Sequence, residues 1–135
     1  MSVKSSSILL DTPALVAILT RESECLALVE KLFAAEFKFL PTPCASEAIF
    51  VLRTKLNRDP TSILQDFYGE FDIQLIPFEA HHLPWFHHAF SRFGKGRLQA
   101  SLNFGDCFTY SISKATGIPI LFTGNHFSQT DLAIA

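Results

Sequence analysis

Short apolar runs that end at Asp, Pro or Gly, each joined to a stretch with helical spacing, restrict this chain more than any other feature. Ile8–Leu10 ends at Asp11, and Thr12 and Pro13 suit the cap and first turn of a helix. Leu26, Leu28, Val29, Leu32 and Phe33 keep a helical rhythm, and Phe37–Leu40 then reads as a strand stopped by Pro41. Apolar residues at 45, 48, 49, 52 and 56 predict an amphipathic helix over Ala45–Leu56, introduced by Thr42 and Pro43. After a break at Asn57–Pro60, a helix is expected over Thr61–Phe71, then a strand over Ile73–Ile76 closed by Pro77. Ala80–Phe93 reads as a helix ended by Gly94. Asn103 caps a further helix through Ala115, Gly117 stops it, and Ile120–Phe122 is a buried strand. Strands alternating with helices predict an α/β fold, a three-layer sandwich with a mainly parallel central sheet flanked by helices.

At 135 residues, 48% of them hydrophobic and fourteen of them Phe, the chain can bury a real core. One domain over residues 1–135 is the expectation. No window holds the roughly 18 apolar residues of a membrane span, and Met1–Ser7 lacks the apolar centre of a secretion signal. Cys25, Cys44 and Cys107 are scattered and odd in number, as reduced thiols in a cytoplasmic protein would be. A formal charge of −2 gives no global attraction to nucleic acid. Any polyanion must therefore be held by a local basic patch or through bound metal.

In open α/β sheets the active crevice lies beyond the carboxyl ends of the strands, so acids there are candidates. Asp11 closes the first strand, Glu47 follows the second, and Asp106 lies in the first turn of the helix before the last strand. Taken singly, each has a plainer job: Asp11 can cap its helix, Glu47 can complement a helix dipole, and Asp106 can complete a capping box with Asn103. Taken together, three carboxylates about 4 Å apart would repel by ~4 kcal/mol per pair at an effective dielectric near 20. They would need divalent cations, and an all-oxygen set selects Mg²⁺ or Mn²⁺. Such a cation can orient and activate water against a phosphodiester.

Three stretches carry a family resemblance. Phe90–Arg97 reads FSRFGKGR, Leu102–Tyr110 reads LNFGDCFTY, and Lys114–Asp131 reads KATGIPILFTGNHFSQTD. Together they resemble the C-terminal half of the VapC-like toxins, ribonucleases built on a PIN domain. Leu10-Asp11-Thr12 and Ala45-Ser46-Glu47-Ala48 resemble that family's first and second acidic motifs. The resemblance implies a PIN fold, a Mg²⁺- or Mn²⁺-dependent endoribonuclease, a cognate antitoxin and a homodimer. By position it makes Asp11, Glu47 and Asp106 the metal-binding catalytic carboxylates, with Thr12 and Thr123 as hydroxyl supports. The family usually places a fourth acid in a segment resembling Gly-Asn-Asp-Phe, where this chain has Gly124-Asn125-His126-Phe127. Asn125, His126 and Asp131 are the alternatives for that role. Loss of the fourth acid also supports a rival reading, a PIN-like binding module without nuclease activity.

Arg92, Lys95 and Arg97 around Phe93 and two glycines combine charge, backbone freedom and a ring, as single-stranded RNA binding would use. Their Gly-Lys-Gly-Arg string does not match a phosphate-binding P-loop. His81, His82, His87 and His88 lack the i, i+4 spacing of a helical zinc site and are expected at the surface. Phe108, Tyr110, Ile112 and Cys107 are expected in the core. A phosphatase of the haloacid dehalogenase type would need a second Asp two residues after the first, where Pro13 stands.

Overall fold

The computed structural model describes residues 6–94, 101–132 and 135. Four parallel strands, β1 (Ser7–Leu10), β2 (Phe37–Pro41), β3 (Ile73–Ile76) and β4 (Ile120–Leu121), form one sheet in the order β3-β2-β1-β4. Between them run α1 (Thr12–Leu19), α2 (Cys25–Ala34), α3 (Thr42–Leu56), α4 (Thr61–Glu70), α5 (Leu83–Phe93) and α6 (Phe104–Thr116).

Alternation along β1 divides the core into two. Ile8 and Leu10 join α1, α2, α3 and α4 through Ala14, Leu32, Leu52 and Phe67. Leu9 points the other way, to Ala89 and Phe93 of α5 and Tyr110 and Ile112 of α6. A strand buried on both faces reads as a continuous apolar run, which is why Ile8–Leu10 shows no polar alternation. The expected three-layer α/β sandwich is therefore the one observed, with a sheet that is wholly parallel among the described residues.

Element ends follow local chemistry. Asn57, in left-handed backbone at φ 54°, ends α3, and Gly117 at φ 78° ends α6, a conformation that glycine adopts without a Cβ clash. The expected helix over Ala80–Phe93 is instead a 3-10 turn at Ala80–His82 followed by α5, whose second residue is Pro84. Pro84 offers no backbone N–H to continue a helix from that turn. No described helix is long and apolar enough to cross a membrane.

The strand order sets the crevice. Leaving β1, the chain steps outward through β2 and β3, then returns to place β4 on the other side of β1. Connections diverge at the carboxyl ends of β1 and β4, the point where ligands lodge in such sheets. Asp11 and Thr123 stand there, and the Asp11 N–H donates to the Leu121 carbonyl at 3.3 Å.

Candidate functional site

Asp11 takes its place because β1 runs directly into α1. Its Oδ1 accepts from the Ala14 N–H at 2.9 Å, capping the helix. Asp106 is placed by a reciprocal capping box: the Asn103 side chain accepts from the Asp106 N–H at 2.9 Å, and Asp106 Oδ2 accepts from the Asn103 N–H at 3.0 Å. Glu47 sits in the second turn of α3 with an exposed side chain. The plain and the chemical readings of these acids are thus compatible, because each cap uses one oxygen. Among the described residues, Asp11 Oδ2 and Asp106 Oδ1 carry no hydrogen bond from the protein.

All three acids line one cleft of about 260 Å³, together with Thr12, Thr109, Thr123 and Gly105. Asp11 is 2% exposed and Asp106 6%, whereas Glu47 reaches in from solvent. Burial, augmented by the charges of Asp106 and Glu47, pushes the Asp11 carboxyl well above its ordinary range, against the Ala14 hydrogen bond that lowers it. No described Lys or Arg pairs with any of the three.

The donor set fits a hard divalent cation: oxygen only, formally three negative charges, and a buried carboxyl short of positive charge. It is not a finished cage. Among the described residues no three acid, His or Cys side chains converge closely enough to clasp an ion as they stand. A Mg²⁺-like ion retains several waters, so carboxylates lining a cleft more loosely than a zinc site still suit it.

Gly105 makes room for Glu47. A Cβ there would lie 2.8 Å from Glu47 Oε1 and 2.9 Å from Oε2. Gly105→Ala should therefore displace the Glu47 carboxylate without unfolding the chain, since that carboxylate is the far end of a flexible side chain. Gly105 lies in the first turn of α6, where alanine is at least as well tolerated as glycine. Thermal melting should stay level or rise while the Mn²⁺ concentration needed for half-saturation increases. Unchanged Mn²⁺ binding would remove Glu47 from the site.

The loop after β4 contributes as well. His126 Nδ1 lies 3.0 Å from Asp106 Oδ2, and Asn125 and His126 share a smaller cavity of about 240 Å³ with Asp11 and Asp106. Asp131 is engaged elsewhere: Tyr110 Oη donates to its Oδ1 and Lys114 Nζ to its Oδ2, both at 2.9 Å. Burial works to raise the Asp131 carboxyl, but Lys114 and Tyr110 outweigh it and hold it below the usual range. Asp131 pins the post-β4 segment to α6 and lines neither cavity that holds Asp11 and Asp106.

Thr12 Oγ1 donates to the Cys44 carbonyl at 3.5 Å, and Cys44 Sγ lies 3.2 Å from Thr109 Oγ1. Thr123 lines the cleft. Of the basic trio, Arg92 lies in the last turn of α5 with its guanidinium 5.5 Å from the Phe93 ring centroid, while Lys95 and Arg97 lie outside the described residues. His82 corrects one expectation. It is buried, with Nδ1 accepting from the Glu79 N–H at 2.9 Å, and the structure reads it as the closing residue of a turn. Tyr110, Ile112 and Cys107 are in the core as expected, and Phe108 is half-buried.

Sequence reasoning passed over Gly105, Thr109, Glu22 and Lys55, all of which line the cleft. Lys55 Nζ lies 4.0 Å from Glu22 Oε1. Its signal was spacing: Glu47, Val51 and Lys55 follow each other at four-residue intervals on one face of α3.

A PIN domain family model matches residues 8–132. The chain is 35% identical over 125 residues to a Mycobacterium tuberculosis protein named Ribonuclease VapC36, covering 92% of this chain and 90% of that one. It is 33% identical over 124 residues to a Mycolicibacterium smegmatis Ribonuclease VapC, covering 92% and 96%. The fold is similar to VapC20 of Mycobacterium tuberculosis, described as a sarcin-ricin-loop-cleaving toxin, with TM-score 0.74, 13% identity and coverage of 95% and 98%. It is also similar to a chain of VapBC2 from Rickettsia felis, solved with a DNA fragment from their promoter, with TM-score 0.72, 15% identity and coverage of 96% and 97%.

Proposed function

The chain belongs to the PIN-domain family, and from that membership we propose that it is a divalent-metal-dependent endoribonuclease, the toxin of a toxin–antitoxin pair acting in the cytoplasm. The observation that carries the chemistry is the meeting of Asp11, Glu47 and Asp106 in one cleft at the diverging ends of β1 and β4.

Asp11, Glu47 and Asp106 would hold the ion, with Mg²⁺ or Mn²⁺ favoured by an oxygen-only set. When bound, the cation supplies an activated water and neutralises charge that develops on the phosphate. The protein's own part is to orient and to exclude. The caps on α1 and α6 fix two of the carboxylates against rigid helix ends. Thr12 and Thr123 bring hydroxyls to the cleft, and Lys55 brings a positive charge that can shift from Glu22 to an RNA phosphate. Arg92, Lys95 and Arg97 are the further basic residues proposed to bind RNA, on the combination of charge with Phe93 that the sequence offers. Asn125 supplies a carbonyl oxygen and His126 an imidazole where a fourth acid is usual in the family.

The proposed partner is an antitoxin that inserts a basic side chain, such as Arg, among the carboxylates. A homodimer, as the resemblance implies, would cover exposed apolar side chains such as Leu83 and Phe90 of α5. One observation favours a second reading: with His126 on Asp106, the site holds three acids, which suits a PIN-like binding module that cleaves nothing.

Incubation of the protein with mixed single-stranded RNA in Mn²⁺, in Mg²⁺ and in EDTA decides between them. Cleavage in either cation, abolished by EDTA and by Asp106→Asn, is expected. RNA binding without cleavage in any divalent cation would leave the binding module.

A further inference from the structure

A second groove opens on the other side of Glu47. It has a volume of about 360 Å³ and is walled by Pro43 and Phe50 of α3 and its start, and by Phe104 and Phe108 of α6. Glu47 and Gly105 line both this groove and the carboxylate cleft, so the two adjoin. Phe50 is 79% exposed and Phe104 73%. Two rings left this accessible beside one groove form an apolar patch of the kind that receives a ligand.

The Phe104 ring is braced from behind. It meets Phe108 at 4.8 Å and Phe86 at 5.9 Å between centroids, both edge-on, and Phe108 in turn meets Phe78 at 4.9 Å. A ring held by its neighbours keeps little rotamer freedom to lose when something stacks on it. Among the described residues Glu47 is the only charged one lining the groove, so a phosphate is repelled by it and a neutral group is favoured. Ser46 Oγ already donates to the Thr42 carbonyl at 3.0 Å. The lining therefore offers faces to stack on and little to read the edge of what enters.

We propose that this groove between α3 and α6 takes one unstacked nucleobase of the RNA whose phosphate lies against Asp11, Glu47 and Asp106. The inference rests on the nuclease reading. A strand positioned with a phosphate at the carboxylates must put neighbouring bases somewhere, and Glu47 is the shared wall between that phosphate and the aromatic groove. Stacking on Phe50 and Phe104 is tolerant of base identity, because every base presents a π face. The groove thus anchors the strand next to the scissile bond and leaves sequence choice to other contacts.

The test uses the full chain with Mn²⁺ and a short single-stranded RNA of known cleavage position, in versions with each base, or with an abasic ribose, next to that position. Phe50→Ala and Phe104→Ala should each raise KM by about five- to a hundredfold, the usual loss of one base–aromatic stack, with kcat much less affected. Phe50→Trp should restore the wild-type KM. The abasic RNA should be cleaved poorly by the wild type and should no longer distinguish wild type from Phe104→Ala. Wild-type kinetics in both alanine variants on the full RNA would overturn the base site while leaving the nuclease intact. Absence of metal-dependent cleavage by the wild type would overturn both. If sedimentation shows a wild-type dimer that Phe50→Ala or Phe104→Ala dissociates, and KM does not move, the groove is covered by a second copy of the chain and the base site is overturned.

Discussion

Asp11→Asn is expected to abolish cleavage and at the same time to raise the melting temperature of the metal-free protein. The carboxyl is almost wholly buried, faces Asp106 and Glu47 across the cleft, and has no described Lys or Arg as a partner. Burial first, and the two like charges after it, raise its folded-state pKa well above the ordinary value of 3.8. The sign follows from linkage. Below 3.8 the group is protonated in both states and costs no charge burial. As pH rises from 3.8 to the elevated folded value the unfolded chain gives up this proton while the folded one keeps it, so stability is lost over that window and the loss is complete above it. Asparagine keeps a carbonyl oxygen for the Ala14 N–H, so the cap on α1 survives while the charge goes. Each ~1 kcal/mol relieved should appear as about 3–5 °C in EDTA at neutral pH, and the gap from wild type should close toward pH 4. Saturating Mn²⁺ should reverse the order. A ligand at a hundred times its Kd stabilises the wild type by ~2.7 kcal/mol, and the variant gains far less. Melting curves with EDTA and with Mn²⁺ settle the matter. Equal destabilisation of Asp11→Asn in both would reduce Asp11 to a structural cap.

Much of the fold was legible because its signals are local. Ile8–Leu10 is apolar at every position because β1 is covered on both faces, and Asn103 with Asp106 spells a capping box within four residues. Proline and glycine marked most element ends for the same reason, although Pro84 was overlooked and the helix expected from Ala80 begins three residues later. What periodicity does not disclose is which faces meet. His82 reads as one of four surface histidines until the turn at Glu79 closes on its ring nitrogen. Gly105 has no chemistry of its own and matters only because Glu47, 58 positions earlier, needs the space. Asp131 carried an acid's promise of metal binding, but Tyr110 and Lys114, one turn apart on α6, claim both its oxygens. The local sequence set capping against metal binding as alternatives for Asp11 and Asp106. In the folded chain one oxygen of each caps a helix and the other is left for the cleft.

The second large effect is expected at His126, where charge around the cleft can be changed without touching Asp11, Glu47 or Asp106. His126 Nδ1 lies 3.0 Å from Asp106 Oδ2, and the imidazole shares a cavity with Asp11. His126→Asp replaces a ring within hydrogen-bond distance of Asp106 with a fourth carboxylate that repels it. Without metal this adds a like-charge contact beside a buried acid, so the melting temperature in EDTA should fall. With metal the same charge is attractive, and affinity for hard cations rises with the number of carboxylates. The Mg²⁺ or Mn²⁺ concentration for half-maximal cleavage should drop about tenfold, equivalent to ~1.4 kcal/mol of added binding. Loss of the imidazole, a ligand better suited to Mn²⁺ than to Mg²⁺, should also narrow the difference between the two ions. Asp131→Asn serves as the contrasting variant. It weakens the tie to Lys114 and should lower the melting temperature with and without metal, leaving the half-maximal metal concentration where it was. If His126→Asp changes neither the EDTA melting temperature nor the metal requirement, while Asp131→Asn raises that requirement sharply, then Asp131 leaves its place on α6 to complete the site, and His126 has no part in it.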